Sequence, residues 1–381
     1  MNSKIKAYLF FTLLLASSVS GCLSEEALES LESENPCTSE IQVRESDGTL
    51  KILTYDIAGF SDELIAQFTD ETGIQVEFIR TDDAGGILDQ MMLTKSAPLA
   101  DLMIGLDNTY LPTAIQNCLL MEHSVSNESF TATSMEFYDG PLALPFDEGD
   151  VCLNYDEDAL AAANMSVPTS LWNLTEAEWN GKMTFPSPMT SSPGRAFLAA
   201  TVDYFGNSPG NESGNMSNWW NAVAQNGAIF TSGWTESYVN YYTGGYGEYM
   251  EGHIGGAYLT VSYCHSPGVE AYFSENYTHS TSLVLPRASF HQVEYTGIIN
   301  GAAEVDAANQ FIEFITSIEV NANMPDYNSM YSVRNDTDLP ETNGYRYHAD
   351  QANVSTAITQ DLIEQNMDDW LESWQNAVRI N

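Results

Sequence analysis

The stretch Ala257–Pro267 has the sequence Ala-Tyr-Leu-Thr-Val-Ser-Tyr-Cys-His-Ser-Pro. Its first half is rich in the aromatic and β-branched residues that favour strands, and Gly255-Gly256 precedes it. In α/β proteins, ligands bind just outside the carboxyl ends of strands, so a strand that ends in a polar, aromatic turn predicts a ligand site. Leu142–Asp156 has the same character earlier in the chain. We predict that the two stretches are crossings between two lobes. The alternative is that both are core strands of a single sheet.

Strands and helices are predicted in alternation beside these crossings. Strand patterns occur at Thr49–Tyr55, Ile74–Ile79 and Leu102–Gly105, and helical patterns at Ser61–Thr72, Ile87–Leu93 and Arg195–Tyr204. Ser192 is the predicted N-cap of the last of these helices. Such alternation is typical of a mainly parallel sheet covered by helices. The predicted fold class is α/β, with two lobes, each a mainly parallel sheet flanked by helices, joined by two hinge crossings.

The charge balance is extreme for a folded protein. The chain has 381 residues, with 53 acidic side chains against 12 basic ones and a formal net charge of −41. This length favours two lobes over one small core. A surface this acidic repels phosphate backbones and anionic lipid headgroups and attracts cations, so we expect no nucleic-acid partner. The charge also suits a surface that stays solvated in salty water.

The N-terminus has the features of an export signal. Lys4 and Lys6 form a basic region, Ala7–Val19 is apolar but too short for a stable membrane span, and Ser20-Gly21-Cys22 follows. Small residues before a cysteine resemble a lipobox, where cleavage leaves Cys22 as a lipid-bearing N-terminus. We expect a tether to the outer face of a membrane. A plain signal peptide with an incidental cysteine is the alternative.

Other features of the chain favour the same compartment. Asn-x-Ser/Thr triplets recur along the sequence, and together with the acidity and the lipobox they indicate an exported archaeal protein from a saline habitat. Four cysteines follow Cys22, namely Cys37, Cys118, Cys152 and Cys264. They allow three pairings in two disulfides. A Cys37–Cys118 bridge would staple the N-terminal extension to the first lobe, whereas Cys152 and Cys264 either pair or stay free.

No catalytic or metal-binding pattern is visible at a recognisable spacing. The sequence contains no Gly-x-Ser-x-Gly, His-Glu-x-x-His, P-loop, Cys-x-x-Cys or dinucleotide-binding glycine pattern, and its six histidines are not clustered. We therefore expect no metal and no cofactor. Polar and aromatic turns instead follow the predicted strands, at Tyr55-Asp56, Asp82-Asp83, Asp107-Asn108, Thr190–Gly194, Gly233-Trp234 and Tyr263–Ser266. Together they predict an aromatic, acidic cleft suited to a flat, cationic small molecule.

In their order and their amino-acid sequences, these turns resemble those of the thiamine-binding proteins of ABC importers. Those proteins are a type II-like branch of the two-lobed extracytoplasmic solute-binding proteins. The similar segments run in sequence over about residues 50 to 381: Leu53–Asp56, Gly105–Asn108, Leu144–Asp147, Thr190–Gly194, Gly233–Tyr238, Ser262-Tyr263 with Ser266-Pro267, Met330-Tyr331, and Trp370, Trp374 and Ala377-Val378. Each segment is weak alone. Their common order is what makes the resemblance specific.

The resemblance implies a periplasmic-binding-protein-like fold and a transport function without catalysis. Residues 1–21 are expected to form the signal peptide, 22–47 the lipid-anchored tether and extension, 48–147 and 266–350 lobe 1, 148–265 lobe 2, and 351–381 a C-terminal helix that packs on the lobes. The protein would capture thiamine or thiamine phosphates between the lobes and deliver them to an ABC permease and its ATPase. It would act as a monomer that touches the membrane only through its lipid.

The family's ligand contacts, carried over position by position, define the implied site. They fall on Asp83, Ala84, Ser191, Ser192, Trp234, Tyr263, Cys264, His265 and Ser266, with Tyr55 as a further wall. The aromatic residues would sandwich the thiamine rings, with cation–π contacts worth about 0.5–2 kcal/mol. Asp83 would accept from the aminopyrimidine and balance the positive charge. The serines precede a helix whose free N–H groups suit a hydroxyl or a phosphate.

The sequence departs from the family at several site positions, and two other functions stay open. Glu148, Asp150, Val269 and Ser329 stand where the family has aromatic residues, and Cys264-His265 replaces small hydroxyl residues. Fewer stacking walls leave related cationic or heterocyclic solutes open as ligands. A polyamine or ferric iron is a further alternative, although the lack of a His/Tyr ligand cluster counts against iron. A thiaminase I-like enzyme is the rival from another class, since that enzyme is similar in fold and uses a cleft cysteine. Cys264 or Cys152 would then be the nucleophile, with Glu148, Glu236 or His265 nearby.

Overall fold

A computed structural model describes residues 41–206, 213–245, 254–273, 278–338 and 357–379. The first part contains strands β1 (Thr49–Tyr55), β2 (Gln75–Thr81), β3 (Leu102–Asp107), β4 (Leu120–Met121) and β5 (Leu144–Asp156), and helices α1 (Asp62–Thr72), α2 (Ala84–Leu93), α3 (Leu111–Gln116) and α4 (Glu157–Ala163). Short 3₁₀ helices follow at Leu171–Thr175 and Ala177–Trp179, and a short π-helix lies at Glu236–Tyr241.

The remaining part contains strands β6 (Met183–Pro186), β7 (Ile229–Thr231), β8 (Leu259–Tyr263), β9 (Ser280–Leu283) and β10 (Phe290–Ile299). Its helices are α5 (Ser192–Tyr204), α6 (Ser213–Gln225), α7 (Ser266–Phe273), α8 (Val305–Ile315), α9 (Ile318–Asn321), α10 (Met324–Tyr327) and α11 (Gln360–Val378). The segment Thr49–Tyr55 has the bounds predicted from its alternating apolar residues.

The described strands form one mixed sheet with the order β2-β1-β3-β10-β5-β8-β6-β7. At one end β1 pairs in parallel with β2 and β3, and at the other end β6 pairs in parallel with β7 and β8. Between these ends, β10 and β5 run antiparallel to their neighbours. The parallel parts match the βαβ alternation of the sequence, and the antiparallel middle joins them.

The apolar residues of the sheet and helices form cores at the two ends. The first core lies on both faces of β2-β1-β3, because Ile52 and Leu53 point to opposite faces of β1 and belong to separate buried clusters. The second core gathers Trp179, Phe197 and Trp220 behind β6 and β8. Each parallel end of the sheet therefore has its own core.

Two long strands pass from one core to the other. In β5, Phe146 packs in the first core and Leu153 in the second, so the predicted crossing at Leu142–Asp156 is observed. In β10, Phe290 packs in the second core and Tyr295 in the first. The strand that returns is therefore β10, rather than the stretch Ala257–Pro267, whose strand β8 pairs with β5 inside the same sheet. The lobe boundaries drawn from the sequence stay a prediction.

Three helix starts differ from the predictions, each for a local reason. Ser266-Pro267 opens helix α7 instead of closing a turn, since Pro is accommodated in the first turn of a helix. Helix α5 starts at Ser192, so Ser191 and not Ser192 is its N-cap. Helix α2 starts at Ala84, three residues before the predicted Ile87, because Asp83 accepts a hydrogen bond from the Ala84 N–H at 2.8 Å.

The last described helix, α11, packs on the second core. Trp374 and Ala377 are buried against it, as the spacing of the apolar residues predicted. The Asn221 side chain donates a hydrogen bond to the Ala377 carbonyl at 2.8 Å, which ties α11 to α6.

The cysteines within the described residues fall into two kinds. Cys118 is disulfide-bonded, whereas Cys152 and Cys264 are buried free thiols. The expected partner Cys37, the signal sequence and the predicted lipidation site Cys22 lie outside the described residues. No helix in the described ranges is long and apolar enough to cross a membrane.

Candidate ligand-binding cleft

A cavity of about 300 Å³ lies where turns from both ends of the sheet meet. Its lining combines aromatic rings, carboxyl groups and helix starts, and includes Tyr55, Asp83, Ala84, Ser192, Trp234, Tyr263, Ser266, Glu294, Asn328 and Met330. Seven of the ten positions proposed as ligand contacts are thus brought together around one cavity. Contact with a ligand stays a prediction for each of them.

Tyr55 forms one wall because a glycine leaves room for its ring. Gly105 in β3 has φ +105°, and a Cβ at that position would lie 2.3 Å from the Tyr55 ring. The Tyr55 hydroxyl donates a hydrogen bond to the Glu294 carboxyl at 2.9 Å and accepts one from the Asn328 side chain at 2.8 Å. The ring is therefore fixed from three sides and directed toward the cavity.

Trp234 forms the facing wall, half-buried after β7. Its ring stacks on Tyr238 with 4.8 Å between centroids and an angle of 14° between planes. Its indole N–H donates to the Ser262 hydroxyl at 2.9 Å, and Ser262 also bonds Ser266 at 2.8 Å. Tyr238 in turn donates to the buried Glu270. Burial raises the pKa of Glu270 to about 8, so this carboxyl is mostly neutral at pH 7.

Tyr263 ends β8 and supplies a third ring. Its hydroxyl accepts a hydrogen bond from the Gln292 side chain at 2.9 Å, and its ring stacks on His265 at 5.3 Å. Burial, together with the charge of Glu294, raises the pKa of Tyr263 well above its ordinary value. The hydroxyl therefore stays neutral, and the wall it forms is polar but uncharged.

Asp83 joins the two sides of the cleft. Its carboxylate accepts from the backbone N–H groups of Ala84 at 2.8 Å, Ser192 at 3.1 Å and Trp234 at 3.2 Å. Ala84 starts α2 beside the first core, whereas Ser192 and Trp234 follow strands of the second core. Burial raises the pKa of Asp83 to about 6, and the three N–H donors oppose that rise.

Further contacts close the same edge of the cleft. The Gly85 N–H donates to the Thr190 carbonyl at 3.0 Å, and a Cβ on Gly85 would lie 2.5 Å from that oxygen. The Ser192 hydroxyl donates to Asp107 at 2.7 Å. The Arg195 guanidinium lies 3.6 Å from the centroid of the Tyr110 ring. These contacts hold the cleft closed, with the first turns of α2 and α5 facing each other.

Three of the proposed contacts do not line the cavity. Ser191 is buried as the N-cap of α5, and Cys264 is buried with its sulfur 4.0 Å from the Ser289 hydroxyl. His265 is also buried, and its Nε2 lies 2.9 Å from the Ser329 carbonyl oxygen. Of these three residues, His265 supports the cavity wall, because its ring stacks on that of Tyr263 from outside the cavity.

Sequence reasoning missed Glu294, which lines the cavity from the middle of β10. The signal was present, since Gln292-Val293-Glu294 places two long polar side chains inside a strand of apolar residues. Polar residues in a strand are usually solvent-facing, and only the tertiary packing shows that Gln292 and Glu294 are buried. Within the described ranges, no group of three or more His, Cys, Asp or Glu side chains is arranged to hold a metal ion.

A closed cleft between two α/β lobes, lined by rings and carboxyl groups, defines a solute-binding protein. The family model described as bacterial extracellular solute-binding protein matches residues 63–352. The chain belongs to this family and is therefore an extracytoplasmic solute-binding protein.

Named relatives agree with that membership. The thiamine-binding periplasmic protein of Salmonella typhimurium is 24% identical over 311 residues, which cover 82% of this chain and 86% of the relative. The thiamine-binding periplasmic protein of Escherichia coli is 23% identical over the same shares. A solved periplasmic thiamin binding protein superposes with a TM-score of 0.71 at 21% identity, covering 89% of this chain and 100% of that chain. The predicted two-lobed α/β fold and the family resemblance are confirmed.

Proposed function

We propose that this protein captures thiamine, or thiamine phosphates, in the cleft and delivers it to the permease of an ABC importer. The observation that carries the proposal is the cavity itself, in which Tyr55, Trp234 and Tyr263 face carboxyl groups. Aromatic rings bind a flat heterocycle, and a carboxylate compensates a buried cation. Thiamine has both features, and the relatives that match most of this chain are named for it.

In the proposed complex, both sides of the cleft contribute contacts to the ligand. Trp234 and Tyr263 would hold the rings from the side of the second core, and Tyr55 from the side of the first. Asp83 is the proposed acceptor for the aminopyrimidine, although its carboxylate already receives three backbone N–H groups in the closed arrangement. Its remaining lone pairs are the ones available to a ligand.

The finer features of location and assembly belong to the same proposal. We infer that Cys22 carries the lipid that anchors the protein to the outer face of the cell membrane. The partners are the permease and, through it, the cytoplasmic ATPase, and the binding protein works as a monomer. No catalytic step is proposed, since family members bind and release their solute.

The thiol chemistry supports binding over catalysis. A cysteine nucleophile is accessible and has a lowered pKa. Cys264 is 1% exposed, does not line the cavity, and has a pKa that burial and the neighbouring Cys152 raise well above its ordinary value. Such a thiol does not attack a ligand in the cleft.

Native mass spectrometry of the mature protein tests the proposed function. The protein is incubated with an equimolar mixture of thiamine, its mono- and diphosphate, spermidine and ferric citrate, and the retained mass is identified. The proposal predicts one intact thiamine or thiamine phosphate per chain, and loss of retention in Trp234→Ala. Retention of spermidine or iron alone would overturn the ligand assignment, and a cleaved thiamine would make the protein an enzyme.

A further inference from the structure

Two carboxyl groups lie side by side beneath the cavity. Glu294 in β10 is paired directly with Asp147 in β5, and the two residues are 4% and 0% exposed. Glu294 lines the cavity, whereas Asp147 lies behind it. Directly opposed residues of an antiparallel pair have Cβ atoms about 4.5–5.5 Å apart, so each carboxyl is the other's neighbour.

The hydrogen bonds around this pair leave acceptor capacity unused. Glu294 accepts from the Tyr55 hydroxyl at 2.9 Å and from the Gln292 side chain at 3.2 Å. Asp147 accepts from the Asn328 side chain at 2.5 Å through Oδ2. Its Oδ1 is buried and has no hydrogen-bond partner among the described residues. A fully buried carboxyl oxygen without a donor is costly unless a proton or a cation serves it.

The surroundings of the pair supply negative charge, and within the described part of the chain no cation is paired with either carboxyl. The titratable and charged side chains that face it are Tyr55 from β1, Asp107 from β3, Glu148 from β5, Tyr263 from β8, and Asp83 at the start of α2. Arg195 lies on Tyr110 and acts on Asp107. The imidazole of His291 is paired with Glu148 and Asp150, which outweigh its burial and raise its pKa to about 10, so its charge is already compensated there. In the described ranges, no Lys, Arg or His forms an ion pair with Asp147 or Glu294.

The buried carboxyl groups of Asp147 and Glu294 are too close to each other for both to be ionised without a compensating cation. Burial and the neighbouring Asp147 raise the pKa of Glu294 well above its ordinary value, and burial raises the pKa of Asp147 to about 7. Without a ligand, the pair therefore holds at least one proton at neutral pH. A cation placed against Glu294 would replace that proton.

We propose that Glu294, backed by Asp147, is the subsite for the positively charged ring of the ligand, and that binding this cation expels a proton from the pair. The inference rests on the proposed function, since thiamine carries a fixed positive charge. It deepens that function by placing the charge at the floor of the cleft, while Asp83 at the closing edge serves the other end of the ligand. A cation that cannot lose its charge, rather than a neutral heterocycle, is then the solute selected.

Calorimetric titration with thiamine in two buffers of different ionisation enthalpy tests this subsite, because the difference in heat counts the protons released. For the wild-type protein at pH 7 we expect release of about one proton per thiamine. Glu294→Gln keeps the size and the acceptor oxygen for Tyr55 but removes the charge, so it should bind about 10- to 100-fold more weakly and release no proton. Glu77→Gln makes the same change at an exposed carboxylate of β2 that does not line the cavity, so it is the matched control and should change neither quantity.

Other outcomes of the titration would contradict either the cation subsite or the proposed function, and they can be told apart. Tight thiamine binding without proton release, or equal binding by Glu294→Gln, would overturn the subsite and leave thiamine transport standing. Absence of thiamine binding by the wild-type protein would overturn the proposed function, and this inference with it. Thermal unfolding checks the fold of Glu294→Gln, which should be at least as stable as the wild type because it removes an uncompensated buried acid. Asp147→Asn, which keeps the buried Glu294, provides an independent variant and should still release a proton when thiamine binds, because burial alone keeps the pKa of Glu294 raised.

Discussion

The carboxylate of Asp83 accepts a hydrogen bond from the backbone N–H of Trp234 at 3.2 Å, across the cleft between the two cores. Asp83 caps α2, and Trp234 forms the aromatic wall of the cleft. The hydrogen bond between them therefore links closure of the cleft to the position of the ring on which the ligand would stack. The Gly85 N–H bonds Thr190 beside this contact. Closing the lobes therefore completes hydrogen bonds at the same edge where the ligand is covered.

The variant Gly85→Ala should impair closure of the cleft without destabilising the fold. Alanine favours a helix over glycine by about 0.5–1 kcal/mol, so the variant should unfold at no lower temperature than the wild type without ligand. Its Cβ would lie 2.5 Å from the Thr190 carbonyl oxygen, which opposes closure. We expect thiamine affinity to fall by about tenfold or more, measured by calorimetry. Unchanged affinity would show that this edge does not close on the ligand.

Trp234→Ala tests the aromatic wall. Removing the ring deletes the stacking surface and exposes Tyr238, so we expect about a 10- to 100-fold loss of thiamine affinity. Trp172, which is 44% exposed and packs on Phe205, provides the control. Trp172→Ala should bind thiamine as the wild type does. Equal losses in both variants would indicate a general effect of tryptophan removal and would contradict the assignment.

The stability of the ligand-free protein should fall as the pH rises from about 5 to about 8.5. Burial raises the pKa values of Asp83, Asp147 and Glu270 to about 6, about 7 and about 8. Their unfolded values are near 4, so the folded state holds more protons in between. The stability from these acids is complete below about pH 4 and is lost as the pH rises through the folded values. Melting temperatures across this range measure the effect.

Glu270→Gln is the matched variant for that pH dependence. The substitution keeps the size of the side chain and an acceptor for Tyr238 while removing the ionisation. The decline in melting temperature between about pH 6 and about pH 8.5 should become shallower. A decline that is as steep as in the wild type would show that Glu270 ionises normally in the folded protein.

The two free thiols should be inert in the folded protein. Cys152 and Cys264 are 0% and 1% exposed, and neither lines the cavity. A thiol reagent followed by peptide mapping should label them only after unfolding. Cys264→Ser should bind thiamine within about twofold of the wild type, with the ligand recovered intact. Labelling of folded Cys264 that thiamine prevents would instead revive the enzymatic alternative.

Much of the fold could be predicted because local patterns and tertiary structure agree. The strand Thr49–Tyr55 has the predicted bounds, and α1 has Ser61 as its N-cap and Gly73 at its end. The turns that carry Tyr55, Asp83 and Trp234 follow strands, and strand ends meet at one edge of an α/β sheet. Such features depend on neighbours in sequence.

The features that escaped prediction depend on contacts between distant segments. The local sequence around Glu294 shows only a polar side chain in a strand, and its position opposite Asp147 depends on the pairing of two strands that are distant in the chain. The returning strand could not be chosen from sequence, because β8 and β10 both have strand patterns and only their packing on the two cores separates them. The backbone N–H groups of Ser192 and Trp234 both donate to Asp83 only when the cleft is closed. No local sequence pattern predicts these two contacts.

The central claim is that this cleft closes on thiamine, and calorimetric titration of the mature protein with thiamine in high salt tests it most directly. The account predicts saturable binding of one thiamine per chain, with a negative heat-capacity change as apolar surface is buried. Absence of heat with thiamine and with its phosphates, at several temperatures, would contradict the account and leave only the fold.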